Sequence, residues 1–229
     1  MKALPFPCIR PAAEHVIDVV SGAVDVLASA DALRDALADG VMVKDPGAAF
    51  YLYQRATQDG AQTGVACICS LDDLATASLS NAGDDLEEAS AREAGRISAL
   101  GMQSNAVVAE YAAQPVLDII LGAAMQGAAI YDLFDGAGAR HRLWEVKRRD
   151  AVDAIHTMLE SMSIDTVLTP AALAAAEADR EMKAALAAKD GGVSGKEPFN
   201  YALTVLFPKG SAVEAGLPHG WLLHQMAKL

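Results

Sequence analysis

The stretch that most constrains the fold is Ile164 to Lys189, IDTVLTPAALAAAEADREMKAALAAK. Ile164 to Leu168 reads as a short buried strand. Thr169 suits a helix N-cap, and Pro170 suits the first helical position, where its missing N–H costs nothing. An alanine-rich run of strong helix formers follows. A strand that feeds straight into a helix N-terminus is a generic anion-binding geometry, because free N–H groups and the helix dipole converge there. The turn itself carries no glycine run, no His, no Lys and no Arg. This segment therefore predicts an architecture and does not name a reaction.

A second anchor is Phe199 to Phe207, FNYALTVLF, nearly all apolar and rich in strand formers, which predicts a central strand. Around these two, further elements fall in order. Pro5, Pro7 and Pro11 extend the start of the chain. His15 to Val26 is β-branched and reads as one strand or two joined at Ser21-Gly22. Ser29 caps a helix through Leu37 that Gly40 stops. Ala49 to Arg55 and Gly64 to Ser70 form an antiparallel pair across Asp59-Gly60. Leu71 to Ala75 is a short helix, Thr76 to Gly83 a loop, Asp84 to Leu100 a helix, Asn105 to Tyr111 a strand and Pro115 to Met125 an apolar helix. Ala128 to Phe134 and Arg140 to Val146 flank Asp135-Gly136-Ala137-Gly138 as the clearest hairpin. Asp150 to Met162 is an amphipathic helix, with Val152, Ile155, Leu159 and Met162 on one face. Asp190 to Glu197 is a Gly-rich loop, and Leu217 to Leu229 a short strand followed by a frayed helix. The mixed order, with no repeats and no long linker, predicts one α+β domain over 1–229, with a mixed, mostly antiparallel sheet and flanking helices.

Composition narrows the classes. Hydrophobic residues are 52% of the chain, so disorder is excluded as the default, while aromatics are only 5%. A net charge of −12 argues against a nucleic-acid footprint, which needs clustered Lys and Arg. The one basic cluster, Lys147, Arg148 and Arg149 with Arg140 and Arg142 before it, reads as a solvated turn and helix start. No run approaches the ~18 apolar residues of a membrane span, and the prolines near the start break any signal-peptide core. Three cysteines without a scaffold pattern suit a reducing cytoplasm. Cys67 and Cys69, two apart on a strand, share a face and are poorly placed for a mutual disulfide. No Cys/His set has metal-ligand spacing.

Several stretches, taken in order, resemble domain of unknown function family 1015. They are PFPCIRP at Pro5 to Pro11, VKDPGAAFYLYQR at Val43 to Arg55, QTGVACICSLDDL at Gln62 to Leu74, DLFDGAGARHRLWEV at Asp132 to Val146, EPFNYALTVLF at Glu197 to Phe207, and LPH at Leu217 to His219. The hairpin keeps the family's His and Trp as His141 and Trp144. The resemblance implies a fold related to the ParB and sulfiredoxin group, which includes a free-serine kinase. It also implies two motifs that the chain lacks. Asp-Gly-His-His-Arg belongs just after Leu168, where Thr169, Pro170, Ala171, Ala172 and Leu173 stand. A register slid to Glu177 through Glu181 has no histidine pair either. His-Glu belongs near Leu79 to Gly83, which reads LSNAG. Measured against that family the chain reads as a shortened form.

These departures carry the functional expectation. In related kinases the glycine lets backbone approach phosphate, and the His and Arg are charged donors. A helix start of Thr169, Pro170 and Ala171 keeps the dipole alone. Glu87, Glu88 and Glu93 read as solvated charges on a helix face. Trp144 reads as core. His141 and Trp144, three apart on a strand, point to opposite sides. The Gly191 to Lys196 loop lacks phosphate-loop spacing and precedes a strand, so it is rejected as one. No hydrolase elbow is present. The expectation is thus a catalytically degenerate relative acting as a binding, regulatory or assembly module, with no catalytic and no metal-ligating residue assigned. The alternative is a nucleotide-dependent, serine-like small-molecule kinase with a diverged site. Thr169, His141, Arg142, Asn200 and His219 are the residues expected to meet an anion or other ligand. The cofactor stays open. The expected partners are a small anionic ligand or a protein, or a second copy of the chain, with no nucleic acid and no membrane.

Overall fold

The computed structural model describes residues 1–80, 85–189, 200–210 and 220–225, and for 187–189 the backbone alone. The strands are β1 (Ala3–Leu4), β2 (Cys8–Pro11), β3 (Met42–Lys44), β4 (Phe50–Thr57), β5 (Gly60–Ser70), β6 (Ser78–Leu79), β7 (Met102–Gln103), β8 (Val107–Tyr111), β9 (Tyr131–Phe134), β10 (Arg140–Val146), β11 (Ile164–Val167), β12 (Tyr201–Pro208) and β13 (Leu223–Gln225). The helices are α1 (Val16–Val20), α2 (Ala30–Ala38), α3 (Leu71–Ala75), α4 (Leu86–Leu100), α5 (Pro115–Ala124), α6 (Arg149–Glu160) and α7 (Pro170–Lys189). The class is α+β.

Nine strands form the main sheet, in the order β6-β11-β8-β12-β5-β4-β10-β9, with β1 added against β5. Most pairs are antiparallel; β12 with β8 and β11 with β6 are parallel. Strand β12 lies between β5 and β8, the central place that its apolar sequence predicts. Side-chain alternation explains that sequence. Ala202 and Leu206 enter one core, while Leu203, Val205 and Phe207 enter another. Both faces are covered, so the strand is apolar except for Thr204, whose buried hydroxyl donates to Ala202 O at 2.9 Å. The same period sends Phe50 and Leu52 of β4 one way and Tyr51 and Tyr53 the other.

One face of the main sheet is covered by helices: Leu71 and Leu74 of α3, Leu117 and Leu121 of α5, Ile155 and Leu159 of α6, and Ala172, Leu173 and Ala176 of α7. Against the other face lies a four-stranded sheet, β3-β2-β13-β7, with Phe6, Trp221 and Leu222 between the layers. Leu33 and Ala36 of α2, with Val19 and Val26, close the far side of that small sheet around Ile9, Met42 and Leu223.

One element differs in kind from the sequence reading. His15 to Val26 is no strand. Val16–Val20 is helical, and Val16 and Val19 are buried while Ile17 is exposed, a helical spacing of three. Tertiary packing has overridden β-propensity, which is a weak local preference. Three short strands were also not legible: β3, β6 and β7, the second inside the expected Thr76 to Gly83 loop. The expected loop Asp190 to Glu197, all of Leu217 to Leu229 but 220–225, and part of LSNAG lie outside the described residues.

Candidate functional site

The turn between β11 and α7 opens into a cleft of about 460 Å³ lined by Arg92, Glu93, Arg96, Asn105, Thr169 and Ala171, among others. Helix α4 packs along α7 through Ile97 and Ala175. That packing sets Arg92 and Arg96, four apart on α4, along the same cleft as Thr169 and Ala171 at the start of α7. Charged residues absent from the turn in sequence thus line the same cleft, from a helix more than 70 residues earlier.

Thr169 also differs from its expected role. Its carbonyl accepts the first helical bonds, from Ala172 N and Leu173 N at 3.1 and 3.3 Å. Its hydroxyl accepts from the Val108 backbone N–H at 2.7 Å, and so extends the pairing of β11 with β8 past the end of the strand. The residue stands at the N-cap position, but its side chain serves the sheet.

Glu93 is the second correction. It is buried, at 7% exposure, and is not a solvated charge. Its Oε2 accepts from Arg96 Nη1 at 3.0 Å and from Asn105 Nδ2. Its Oε1 is closed to water and has no hydrogen-bond partner among the described residues. Glu88, by contrast, is exposed and pairs with Arg92 at 2.9 Å. Charge on this helix is thus sorted by face: Glu88 outward and Glu93 into the cleft floor.

The remaining candidate residues are placed elsewhere. His141 and Arg142 lie on β10, three strand spacings from β12 in the sheet, or about 14 Å. His141 faces the layer between the sheets. Asp135 accepts its Nε2–H at 3.1 Å, so in the neutral ring Nδ1 accepts from the Tyr53 hydroxyl at 2.8 Å. The His141 Nε2 bond, with the backbone N–H groups of Ala139 and Ala137, holds the Asp135 carboxyl below its ordinary range. Arg142 points to the opposite face, donates to Gln54 and lies over the Trp144 ring at 5.1 Å. Trp144 is buried and donates its indole N–H to Gly127 O at 3.1 Å, as expected of a core residue.

Asn200 joins Arg180 and Asp72 in a three-way polar contact that ties α3, α7 and the start of β12 together. His219 lies outside the described residues. Of the four expected residues that are described, Thr169 alone lines the α7 cleft. The residues that sequence reasoning missed are Arg92, Arg96 and Asn105. Their only signal was the helical spacing that puts Arg92, Glu93 and Arg96 within one turn.

Cys67 and Cys69 are buried and reduced, with sulfurs 3.6 Å apart, and burial pushes the Cys67 thiol well above its ordinary pKa. Among the described residues no group of three or more His, Cys, Asp or Glu is placed to hold a metal ion, and no helix is long and apolar enough to cross a membrane. No curated protein and no solved structure matches the chain. The model of a family described as "Protein of unknown function (DUF1015)" matches residues 9–213, and the chain belongs to that family.

Proposed function

We propose that the chain is a binding module that takes a small phosphate- or carboxylate-bearing molecule in the cleft at the start of α7. The observation that carries this reading is the convergence of Arg92 and Arg96 with the N-terminus of a 20-residue helix around one cleft. Guanidinium groups supply charge-assisted, planar hydrogen bonds to oxyanions, and the helix dipole adds to their field. In this reading the chain is a relative of the ParB- and sulfiredoxin-like proteins that keeps an anion-holding helix start without their phosphoryl-transfer motifs. It works as one domain in the cytoplasm, alone or as a homo-oligomer, as a regulatory or assembly component.

Calorimetric titration with inorganic phosphate and pyrophosphate at low salt tests the reading. Arg92→Ala and Arg96→Ala should each weaken binding by about tenfold or more, the loss of a hydrogen bond to a charged group. Anion at ~100 times its dissociation constant should add roughly 2.7 kcal/mol of stability in a thermal-shift assay. No binding at millimolar anion, or binding untouched by both substitutions, overturns it.

One observation favours the kinase alternative: a buried carboxylate, Glu93, lies beside the two arginines, where a base or metal-holding group would be needed. Turnover of serine or a similar small molecule that requires nucleotide and Mg²⁺ and is lost in Glu93→Gln would establish that alternative over the binding module.

A further inference from the structure

The anion reading leaves Glu93 Oε1 unexplained. The residue is more than nine-tenths buried and lines the cleft, and its other oxygen is doubly engaged by Arg96 and Asn105. Oε1 itself has no partner among the described residues. A buried carboxylate oxygen without a donor is costly, because nothing replaces the water it has lost. The Arg96 guanidinium lies beside it, 3.0 Å from Oε2, and leaves Oε1 as the unmatched acceptor. A carboxylate accepts hydrogen bonds and cannot offer them.

From this geometry we infer that the cleft selects ligands with two features at once: an anionic group for Arg92, Arg96 and the α7 N-terminus, and a hydroxyl or ammonium donor for Glu93 Oε1. A bare oxyanion satisfies only the arginine side, and it leaves one negative oxygen close to another negative group. A ligand with a donor next to its phosphate supplies what Oε1 lacks and separates the two negative charges. Glu93 is thus the specificity residue of the site, and Asn105 and Arg96 fix its orientation. This inference rests on the anion-binding reading above.

The test compares methyl phosphate with glycerol phosphate and ethanolamine phosphate, together with inorganic phosphate, on the full chain by calorimetric titration. The two donor-bearing esters should bind about 10- to 100-fold more tightly than methyl phosphate, the range for a hydrogen bond to a charged group. Glu93→Gln should bring that ratio to within about threefold of one. Glu93→Asp, which shortens the reach of the carboxylate, should reduce it to an intermediate value. Equal wild-type affinity for all three esters overturns the inference while leaving the anion site standing. A preference that survives Glu93→Gln also overturns it. Failure of every phosphate, the inorganic ion included, to bind the wild type instead sinks the anion reading beneath it. Should Glu93→Gln not fold, the wild-type ratio and the Glu93→Asp ratio decide the matter.

Discussion

Thr169 shows how one side chain can occupy an expected position and serve another purpose. Its hydroxyl takes the N–H of Val108, a residue only 2% exposed. Thr169→Ala should therefore destabilise the fold by about 1–3 kcal/mol, the cost of an unpaired buried backbone donor, while Thr169→Ser should restore most of it. Urea denaturation of both variants checks this; a loss below about 0.5 kcal/mol, typical of surface changes, would contradict it. His224 offers a residue-scale prediction in pH. Burial first, and then the charge of Lys183, lower its pKa from 6.5 to about 4. The folded state keeps the ring neutral, whereas the unfolded chain protonates near 6.5. The contribution is complete above that value and is lost as pH falls toward 4. It amounts to about 3 kcal/mol at about 1.4 kcal/mol per pH unit. Unfolding curves at pH 7.5 and 4.5 should show this loss, and His224→Phe should flatten it.

At the scale of elements, side chains of β12 fill the space above Gly64 of β5 where a Cβ would otherwise stand. A Cβ on Gly64 would meet Phe207 and Val205 side-chain atoms at 2.8 Å. Gly64→Ala should cost about 1–3 kcal/mol through overpacking, measurable as a lower denaturation midpoint with an unchanged slope. An unchanged midpoint would mean that the Phe207 ring moves aside freely. The glycine was visible in GVACICS, but the reason for it was not. Sequence alone fixes which strand is apolar on both faces and says nothing of which neighbour crosses it closely. The helices follow the same division. Ser29 caps α2 by accepting from Ala32 N at 3.1 Å, as its sequence predicts, because capping is a local interaction. Val16–Val20 is helical, and the buried partners of Val19 include Leu33 and Leu223 from outside the segment, which local sequence does not show.

The whole molecule depends on a few links between its layers. Gln103 is fully buried at the junction of the two sheets. Its Oε1 accepts from Leu203 N at 2.7 Å, and its Nε2 donates to Asn105 O at 2.9 Å and Leu203 O at 3.3 Å. The amide acts as an extra rung for β12 where β8 has not yet begun. Gln103→Leu would leave the Leu203 N–H and C=O without it, a loss of about 2–5 kcal/mol for two buried backbone groups. Hydrogen exchange at Leu203 should accelerate in that variant, and protection equal to the wild type would show that the rung is dispensable.

The sequence by itself determined the α+β class, the central place of Tyr201–Pro208, the hairpin of β9 and β10, the opposed faces of His141 and Trp144, and the helix that begins at Pro170. Each of these follows from periodicity, caps or turns, which act over a few residues. Only the tertiary structure decided what stands around the start of that helix. Arg92, Glu93 and Arg96 looked like one more charged surface, because local spacing cannot tell which face of a helix is covered. The packing of α4 on α7 buried Glu93 and set Arg92 and Arg96 along the same cleft as the turn, and so made a cleft from residues that share no local motif.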